Sequence, residues 1–383
     1  MASWKTALKY LGEHVEKHFS QLNERLQERF HFGDPIQIIP YLGHGTSDIF
    51  YLMGRVLENK GYMKEQDSDS RWRNLLNTYQ RFESDEIPDA RVRACYETTT
   101  LSTTSDGEGY FDIELHPPAL FNQEKVWHQI ELELVDAEPN DIQHTAGQVL
   151  VPPPSAEFGV ISDIDDTVLQ TGATNFLKMA RLTFLHNAHM RMPFEGVAAF
   201  YAALQRQDTV HNPIFYVSSS PWNLYDLLVD FMDFQGIPRG PLFLRDYGLQ
   251  NLRRSSGGHE GHKTTHIRHL LNTHANLPFI LIGDSGQEDP EIYRDIVQEY
   301  PNRIQAVYIR DISRNRRDRE VQQLIDQCLA HRVDMLLVPD TVEAAQHAAA
   351  SGFIPADAIA DIEVDKEKDQ QEPSALEQML DQP

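Results

Sequence analysis

Residues 158–167 read Phe-Gly-Val-Ile-Ser-Asp-Ile-Asp-Asp-Thr, an apolar run that ends in a cluster of acidic side chains. Further apolar runs follow, with helical patterns between them. They are Ile214–Val217, Pro241–Leu244, Phe279–Ile282, Ala306–Ile309 and Met335–Val338. Alternation of this kind predicts a parallel sheet with helices on both faces. Ligands of such sheets bind beyond the carboxyl ends of the strands, so polar residues at those ends are candidates for a functional site.

Acidic residues stand at the ends of two of these runs. Asp163 and Asp165 are two residues apart after the first run, so their side chains can project toward one locus. Asp284 follows the run that ends at Ile282. Carboxylates that converge in this way repel one another unless a hard cation lies among them, and oxygen ligands suit Mg²⁺. The pattern therefore predicts a Mg²⁺ site at one edge of the sheet.

Two further residues supply hydrogen-bond donors for an anion. The hydroxyl of Ser218 follows the second run, and Lys263 opens a helical stretch that continues to Leu271. Such donors can hold the non-bridging oxygens of a phosphoryl group through the transition state. A carboxylate can attack phosphorus, and a neighbouring carboxyl group can protonate the leaving alkoxide and later deprotonate water. Together these residue types predict phosphoryl transfer.

In their order along the chain, these clusters resemble the four motifs of haloacid-dehalogenase-type phosphatases. The motifs are Asp163-Ile-Asp165-Asp-Thr167, Ser218, Lys263 and Gly283-Asp284 with Asp289. The longer stretches Tyr216–Tyr225 and Gly283–Tyr293 resemble the actin-patch-protein type of Mg²⁺-dependent phosphatidate phosphatase, which is more distantly similar to the lipins. The resemblance covers residues 155–355 and implies an α/β, Rossmann-like core with a parallel sheet.

The resemblance also implies a role for each motif residue. Asp163 would be the nucleophile that forms an aspartyl-phosphate, and Asp165 would be the general acid/base. Ser218 and Lys263 would hold the phosphoryl group. Ser219 takes the place of Ser218 if the strand ends one residue later, and this choice stays open.

Mg²⁺ is the cofactor that the resemblance implies. Its ligands would be the Asp163 side chain, the Asp165 main-chain carbonyl and Asp284, with Asp289 in support or as a further ligand. Which of Asp284 and Asp289 is the main ligand stays open.

The spacing of the motifs bears on access to the site. About fifty residues separate Asp165 from Ser218, which leaves no room for a large lid domain. The segment between Ser218 and Lys263 also has few residues beyond those that the strands and helices of the core need. We therefore expect a minimal cap and an open site, which suits a bulky or membrane-bound substrate better than a small sugar phosphate. A peripheral contact with a membrane is compatible with this expectation.

The chain divides into four segments by its patterns. Apolar residues recur every three or four positions over residues 3–31, which predicts an amphipathic helix. A two-residue alternation then predicts antiparallel strands, and Asp106-Gly107 predicts a hairpin between Val92–Leu101 and Tyr110–Leu115. The segments are 1–35, an amphipathic helix; 36–151, a small antiparallel β-sandwich; 152–355, the phosphatase-like domain; and 356–383, an acidic tail predicted to be disordered.

Composition and charge exclude several classes of function. The 383 residues hold 58 Asp and Glu against 34 Lys and Arg, a formal net charge of −24. A chain this acidic lacks the basic surface that sequence-independent binding of nucleic acid needs. The two cysteines cannot form a disulfide framework, and no apolar run is long enough to span a membrane. We therefore expect a cytoplasmic protein without a nucleic-acid partner.

Some residues allow more than one interpretation. His259, His262, His266 and His269 have the spacing of metal ligands, but the zinc-protease pattern needs a second histidine where Lys263 stands. Positions at the surface or facing phosphate are therefore favoured for these histidines. The arginines between residues 310 and 319 fit a solvated helix face or a lipid-headgroup contact. Trp222 fits contact with a lipid or packing beneath its loop.

The sequence thus predicts a phosphomonoester hydrolase, and the resemblance makes phosphatidate its substrate and diacylglycerol its product. Two other functions are weighed against this one. The first is a phosphatase of a soluble metabolite or a phosphoprotein. The second is a non-catalytic scaffold with a decayed phosphatase module, which the intact Asp163, Asp165, Lys263 and Asp284 disfavour.

Overall fold

The structure is a computed structural model that describes most of the chain. The described residues are 35–58, 86–118, 121–135, 137, 144–164, 195–206, 210–245, 259–312 and 318–370. The predicted helix over residues 3–31 lies outside these ranges. Among the described residues, no helix is both long enough and apolar enough to cross a membrane.

The described strands of the N-terminal part belong to one sheet. They are β1 Ile36–Pro40, β2 Gly43–Gly45, β3 Phe50–Glu58, β4 Arg91–Tyr96, β5 Thr99–Thr104, β6 Tyr110–Leu115, β7 Trp127–Leu134 and β8 His144–Leu150. Their order is β1-β3-β2-β8-β7-β4-β5, and β6 pairs with β3. The pairs are antiparallel, apart from β2 with β8. Inward side chains such as Phe50, Val56 and Ile130 form one buried cluster. The predicted antiparallel strands are confirmed, while the sandwich stays a prediction.

The hairpin predicted at Asp106-Gly107 is wrong. The tight hairpin joins β4 to β5 instead, through Glu97 in the left-handed region at φ 50°. The Asp106 carboxylate accepts a hydrogen bond from the amide of Tyr110 at 3.0 Å and so stabilises a wider turn. This turn leads from β5 to β6, which pairs with β3 rather than with β5.

A six-stranded parallel sheet follows, as the sequence predicted. Its strands are β9 Gly159–Asp163, β10 Ile214–Pro221, β11 Leu242–Arg245, β12 Phe279–Asp284, β13 Ile304–Arg310 and β14 Asp334–Val338. The order is β11-β10-β9-β12-β13-β14. Successive strands are thus added to one side of β9 and then, from β12 onward, to its other side. This reversal creates a crevice between the carboxyl ends of β9 and β12.

Helices cover both faces of this sheet. They are α1 Val197–Gln205, α2 Tyr225–Phe234, α3 His259–Thr273, α4 Asp289–Glu299, α5 Asp318–Ala330, α6 Thr341–Ala350 and α7 Ala358–Gln370, with a 3₁₀ turn at Trp222–Leu224. Alternate strand residues divide between two cores. Val160 and Tyr216 pack with α1, α2 and α6 on one face. Ile161 and Phe215 pack with α3, α4 and α5 on the other. The mixed α/β class with a parallel sheet is therefore confirmed.

The prediction of a disordered acidic tail is wrong over α7. Ile362 of this helix is fully buried in the core that contains α1. The carboxylate of Asp369 accepts a hydrogen bond from the Gly196 amide at 2.8 Å, and Asp365 accepts one from Ala199 at 3.2 Å. Acidic side chains of α7 thus satisfy amides at the N-terminus of α1, where negative charge is favourable.

Candidate active site

Two of the predicted acidic residues lie at the crevice in the parallel sheet. Asp163 ends β9 and Asp284 ends β12, and the strands are neighbours, with Ser162 opposite Ile282. Asp163 is 1% exposed and Asp284 is fully buried. The chain places both carboxylates here because the ends of adjacent parallel strands meet at the same edge.

Lys263 reaches the same point from α3. Its ammonium lies 2.8 Å from Asp163 Oδ1 and 2.7 Å from Asp289 Oδ1, and it is 3% exposed as a residue. Burial by itself would lower the pKa of Lys263, but the charges of Asp163 and Asp289 outweigh burial and raise this pKa above its usual range. The lysine is therefore a permanent cation that joins two of the carboxylates.

The loop after β12 is shaped by its own carboxylates. Asp284 Oδ1 accepts hydrogen bonds from the amides of Gly286 at 2.6 Å and Gln287 at 3.1 Å. Asp289, which opens α4, accepts one from the Asp284 amide at 3.2 Å. A Cβ at Gly283 would lie 2.5 Å from Asp289 Oδ2, so the close approach of Asp289 requires glycine at this position.

The three carboxylates are close enough to share a metal ion. One oxygen each from Asp163, Asp284 and Asp289 can be chosen so that all lie within 4.8 Å of one another, and all three residues are buried. Within the described ranges, this is the one group of three or more His, Cys, Asp or Glu with such spacing. In this group the Lys263 ammonium lies against two of the three carboxylates, those of Asp163 and Asp289.

The predicted phosphate-binding serines lie within the neighbouring strand and do not follow it as expected, because β10 continues to Pro221. Val217 of β10 lies opposite Asp163, so Ser218 and Ser219 stand just beyond the level of that carboxylate. Ser218 is fully buried, and its hydroxyl oxygen accepts a hydrogen bond from the Ser220 amide at 2.9 Å. Ser219 is only partly buried. The choice between the two serines as phosphate ligands stays open.

One predicted catalytic residue, Asp165, lies outside the described residues. Its neighbour Ile164 is described and fully buried in the core that contains α1. The structure therefore brings together Asp163, Lys263, Asp284 and Asp289, and Ser218 lies on the adjacent strand β10, one residue beyond the partner of Asp163.

Three residues of the site were missed by reasoning from sequence. The Gln287 side-chain oxygen lies 3.5 Å from the Lys263 ammonium. The Tyr293 hydroxyl, one helical turn after Asp289, donates a hydrogen bond to the carbonyl oxygen of Ile282 at 2.9 Å. Tyr201 of α1 pairs with the buried Ser162 hydroxyl at 2.6 Å. The polar Ser162 within an apolar run was the available signal for Tyr201, because a buried hydroxyl needs a partner.

Comparison with known proteins agrees with this site. Residues 158–311 match the family model described as the catalytic domain of phosphatidate phosphatase APP1. Phosphatidate phosphatase APP1 of Saccharomyces cerevisiae is 35% identical over 162 residues, which are 42% of this chain and 27% of the yeast protein. The resemblance inferred from the motifs is thus confirmed for this region.

Two further comparisons define the extent of similarity. An uncharacterized protein of Schizosaccharomyces pombe is 27% identical over 217 residues, which are 55% of this chain and 34% of that protein. The matches thus cover 27% and 34% of the lengths of the two curated relatives. A solved carbohydrate acetylesterase from Xanthomonas citri aligns at a TM-score of 0.27 and 10% identity, over 78% of this chain and 66% of its own. A likeness this low supports no conclusion about fold or function.

Proposed function

We propose that this protein is a Mg²⁺-dependent phosphatidate phosphatase, which releases phosphate from phosphatidate and leaves diacylglycerol. The observation that carries the proposal is the buried group of Asp163, Asp284, Asp289 and Lys263 at the crevice of the parallel sheet. Carboxylates gathered at one buried point repel one another, and a bound cation relieves that repulsion. The family match over residues 158–311 supports the reaction class.

The donor set fits Mg²⁺. Asp163, Asp284 and Asp289 offer only oxygen atoms, which are the ligands that this hard cation prefers. A divalent cation would also offset the mutual repulsion of the three carboxylates. We assign the ion to these three carboxylates, with the main-chain carbonyl of Asp165 as a further ligand. When bound, Mg²⁺ supplies positive charge to the oxygens of the phosphoryl group.

We also propose that the β/α domain has the haloacid-dehalogenase-type core. Support comes from the strand order, which reverses beside β9, and from the position of Asp163 and Asp284 at strand ends. The minimal cap stays a prediction, because the residues between Asp165 and α1 that would form it lie outside the described ranges.

In the first step, Asp163 attacks phosphorus. A carboxylate oxygen forms a bond to phosphorus as the bond from phosphorus to the glycerol oxygen breaks, and Asp165 donates a proton to that departing oxygen. Lys263 fixes the position of Asp163 through their 2.8 Å ion pair. The Gln287 oxygen, a long 3.5 Å from the ammonium, is a weak partner that a phosphoryl oxygen can replace.

In the second step, water removes the phosphate from Asp163. Asp165, now ionised, accepts a proton from water as the water oxygen bonds to phosphorus and the bond to the Asp163 oxygen breaks. Both residues return to their starting protonation states, and inorganic phosphate leaves. Ser218 or Ser219 and Lys263 hold the charge on the phosphoryl oxygens throughout.

Phosphatidate is proposed as the substrate because the yeast relative bears that activity in its name. A substrate that lies in a bilayer requires peripheral contact with a membrane, and this contact is part of the proposal. The cytoplasmic location stays a prediction.

The proposal is tested by measuring phosphate release from vesicles that contain phosphatidate, with Mg²⁺ and with a chelator. Soluble phosphomonoesters and a phosphopeptide serve as competing substrates in the same assay. We expect hydrolysis of phosphatidate that stops on chelation and returns when Mg²⁺ is restored. Equal or faster hydrolysis of the other esters would contradict the substrate, and an unchanged rate with chelator would contradict the metal.

A substitution tests the nucleophile in the same assay. Asp163→Asn should remove turnover while the fold is kept, because the amide cannot attack phosphorus. Asp295→Asn makes the same chemical change at an exposed carboxylate of α4 and should leave the rate unchanged. Substantial hydrolysis by the Asp163 variant would exclude the covalent route.

A further inference from the structure

The bend between β1 and β2 extends from the antiparallel sheet into the β/α domain. We call residues Tyr41–Gly45 the corner. The amide of Tyr41 donates a hydrogen bond to the carbonyl oxygen of Met53 at 2.8 Å, which holds the corner to β3. Tyr41 and His44 are 5% and 4% exposed, so both side chains are buried by their neighbours.

Tyr41 packs against the segment that follows the predicted phosphate-binding serines. Its ring centroid lies 5.1 Å from that of Trp222, in parallel stacking, and 4.1 Å from that of Tyr225. The Leu42 amide also donates a hydrogen bond to the Tyr225 hydroxyl oxygen at 2.7 Å. Trp222 therefore packs against the corner, close to where β10 ends. Three residues separate it from Ser218 along the chain.

His44 packs against the helix that carries Lys263. Its Nε2 atom lies 3.3 Å from Nε2 of His269, a hydrogen-bond distance between the two rings. The ring of Tyr51 from β3 also meets His269 edge-on at 5.1 Å. His44 further contacts Phe215, which lies on β10 three residues before Ser218. His269 is therefore partly buried against the antiparallel sheet and not fully at the surface.

Glycines on either side of His44 allow this approach. β2 is inserted between two strands, with His44 opposite Tyr51 of β3 and Leu150 of β8. A Cβ at Gly43 would overlap the carbonyl oxygen of Tyr51, and one at Gly45 would overlap the backbone at Ile49. The backbone can therefore carry the His44 side chain to α3 only because both flanking residues lack a side chain.

We infer that Tyr41 and His44 are positioning residues, through which the antiparallel sheet holds both phosphate-binding elements of the active site. Tyr41 fixes the segment after Ser218, and His44 fixes α3 and with it Lys263. The inference rests on the proposed function, since it takes Ser218 and Lys263 as ligands of the phosphoryl group.

Geometry explains why such support matters. Ser218 and Lys263 belong to different elements, so their separation is set by whatever both elements contact. The corner is one such element, because it meets the start of α2 and the middle of α3. Donors that hold a phosphoryl group must keep their positions within about 0.5 Å to act together. Displacement of either element by about 1 Å can lower the rate on the order of 100-fold.

The test compares Tyr41→Leu with Tyr41→Phe in the full chain. Inorganic phosphate is the probe, and its affinity for the Mg²⁺-loaded protein is measured by calorimetry beside the kcat and KM for phosphatidate in vesicles. We expect Tyr41→Leu to weaken phosphate binding about tenfold and to lower kcat more than it changes KM. Tyr41→Phe keeps the ring and should restore both quantities to within about twofold.

A matched control separates positioning from general loss of stability. Tyr96 is a buried tyrosine in the core of the antiparallel sheet, where its hydroxyl pairs with His128 at 2.7 Å. Tyr96→Leu should lower the free energy of unfolding yet leave phosphate affinity unchanged. His44→Leu should weaken phosphate binding as Tyr41→Leu does, because it releases α3.

The outcomes keep this inference apart from the proposed function. If Tyr41→Leu weakens phosphate binding and Tyr96→Leu does not, the inference stands, even if the wild-type protein prefers an ester other than phosphatidate. Unchanged phosphate affinity in folded Tyr41→Leu, or an equal loss in Tyr96→Leu, would overturn the inference while hydrolysis of phosphatidate by the wild type is unaffected. A wild-type protein that binds no phosphate would overturn both.

Discussion

Two groups of buried or partly buried polar side chains lie along α3, and they differ in charge. Near its start, Lys263 forms ion pairs with Asp163 and Asp289. Further along, His269 and His274, the residue that follows the helix, meet His44 from the antiparallel sheet. The pKa values of these three histidines are all lowered by burial, so they are neutral at pH 7.

The difference shows when a buried group keeps its charge. A charged group remains charged inside a protein when an opposite charge lies beside it, as Lys263 does at 2.8 Å from Asp163. The histidines have mainly aromatic neighbours and one another, and for His269 burial outweighs the opposing effect of the Glu114 charge on its pKa. A proton on one histidine would also repel a proton on the next. Burial therefore removes their charge and leaves a packing surface. One end of α3 suits binding of a charged ligand, and the other suits docking of the sheet.

The largest expected effect comes from removing the cation at the charged end. Lys263→Met would leave Asp163 and Asp289 buried without their partner, which we expect to lower the free energy of unfolding by about 3–5 kcal/mol without metal. Urea unfolding in the presence of a chelator measures this value.

Arg268→Met is the control on the same helix. Arg268 pairs with Glu299 at 2.7 Å, but both side chains are 40% or more exposed, so the loss should be below about 1 kcal/mol. Losses of equal size in the two variants would contradict the comparison between a buried and an exposed ion pair.

Acid should lower the free energy of unfolding through the histidines of the neutral end. Burial lowers the pKa of His274 to about 3 in the folded protein, against about 6.5 when unfolded. Well above pH 6.5 neither form is charged and the contribution of His274 to stability is complete. As the pH falls below 6.5, the unfolded chain takes up a proton that the folded protein refuses, so stability is lost progressively down to about pH 3. Between pH 7 and pH 5 the cost is on the order of 2 kcal/mol.

Comparison with His274→Phe isolates this contribution. The other groups that titrate are shared by the variant and the wild type, so the difference between their stability curves reports His274. We expect the loss of stability between pH 7 and pH 5, measured by urea unfolding, to be smaller in the variant. Parallel curves would mean that His274 is protonated in the folded protein.

The charged end was accessible from sequence, while the neutral end was not. Asp163 and Asp284 each end an apolar run, and the geometry of parallel sheets brings such ends to one edge. Lys263 could be added because its motif resembles those of a known family. The contact of His44 with His269 joins residues 225 positions apart, and the Gly43-His44-Gly45 triplet alone does not indicate its partner.

The acidic tail is a second case in which a contact between distant residues could not be predicted from the sequence. Residues after 356 read as an acidic, solvated segment, yet Asp365 and Asp369 are four residues apart and so share one face of α7. That face meets amides at the start of α1, more than 160 residues away in sequence. Local composition predicted disorder because a carboxylate stabilises this segment only by binding amides at a helix N-terminus. That N-terminus is distant in sequence and is brought near by the fold.

The smallest expected effect comes from Gly283→Ala, which tests the position of Asp289 at the charged end. In Gly283→Ala, the new Cβ would lie 2.5 Å from Asp289 Oδ2 and 2.9 Å from its Cβ. Asp289 cannot remain in place, so we expect the free energy of unfolding to fall by about 1–3 kcal/mol. Displacement of a proposed ligand should also weaken Mg²⁺ binding, which calorimetry measures directly.

Gly261→Ala on α3 provides the matched control, because nothing lies within 4 Å of the added Cβ. That variant should be as stable as the wild type, or more stable by up to about 1 kcal/mol, since alanine favours a helix. If Gly283→Ala instead binds Mg²⁺ as tightly as Gly261→Ala does, Asp289 is not a ligand. The ion would then be held by Asp163 and Asp284 without it, and the choice between Asp284 and Asp289 would be decided for Asp284.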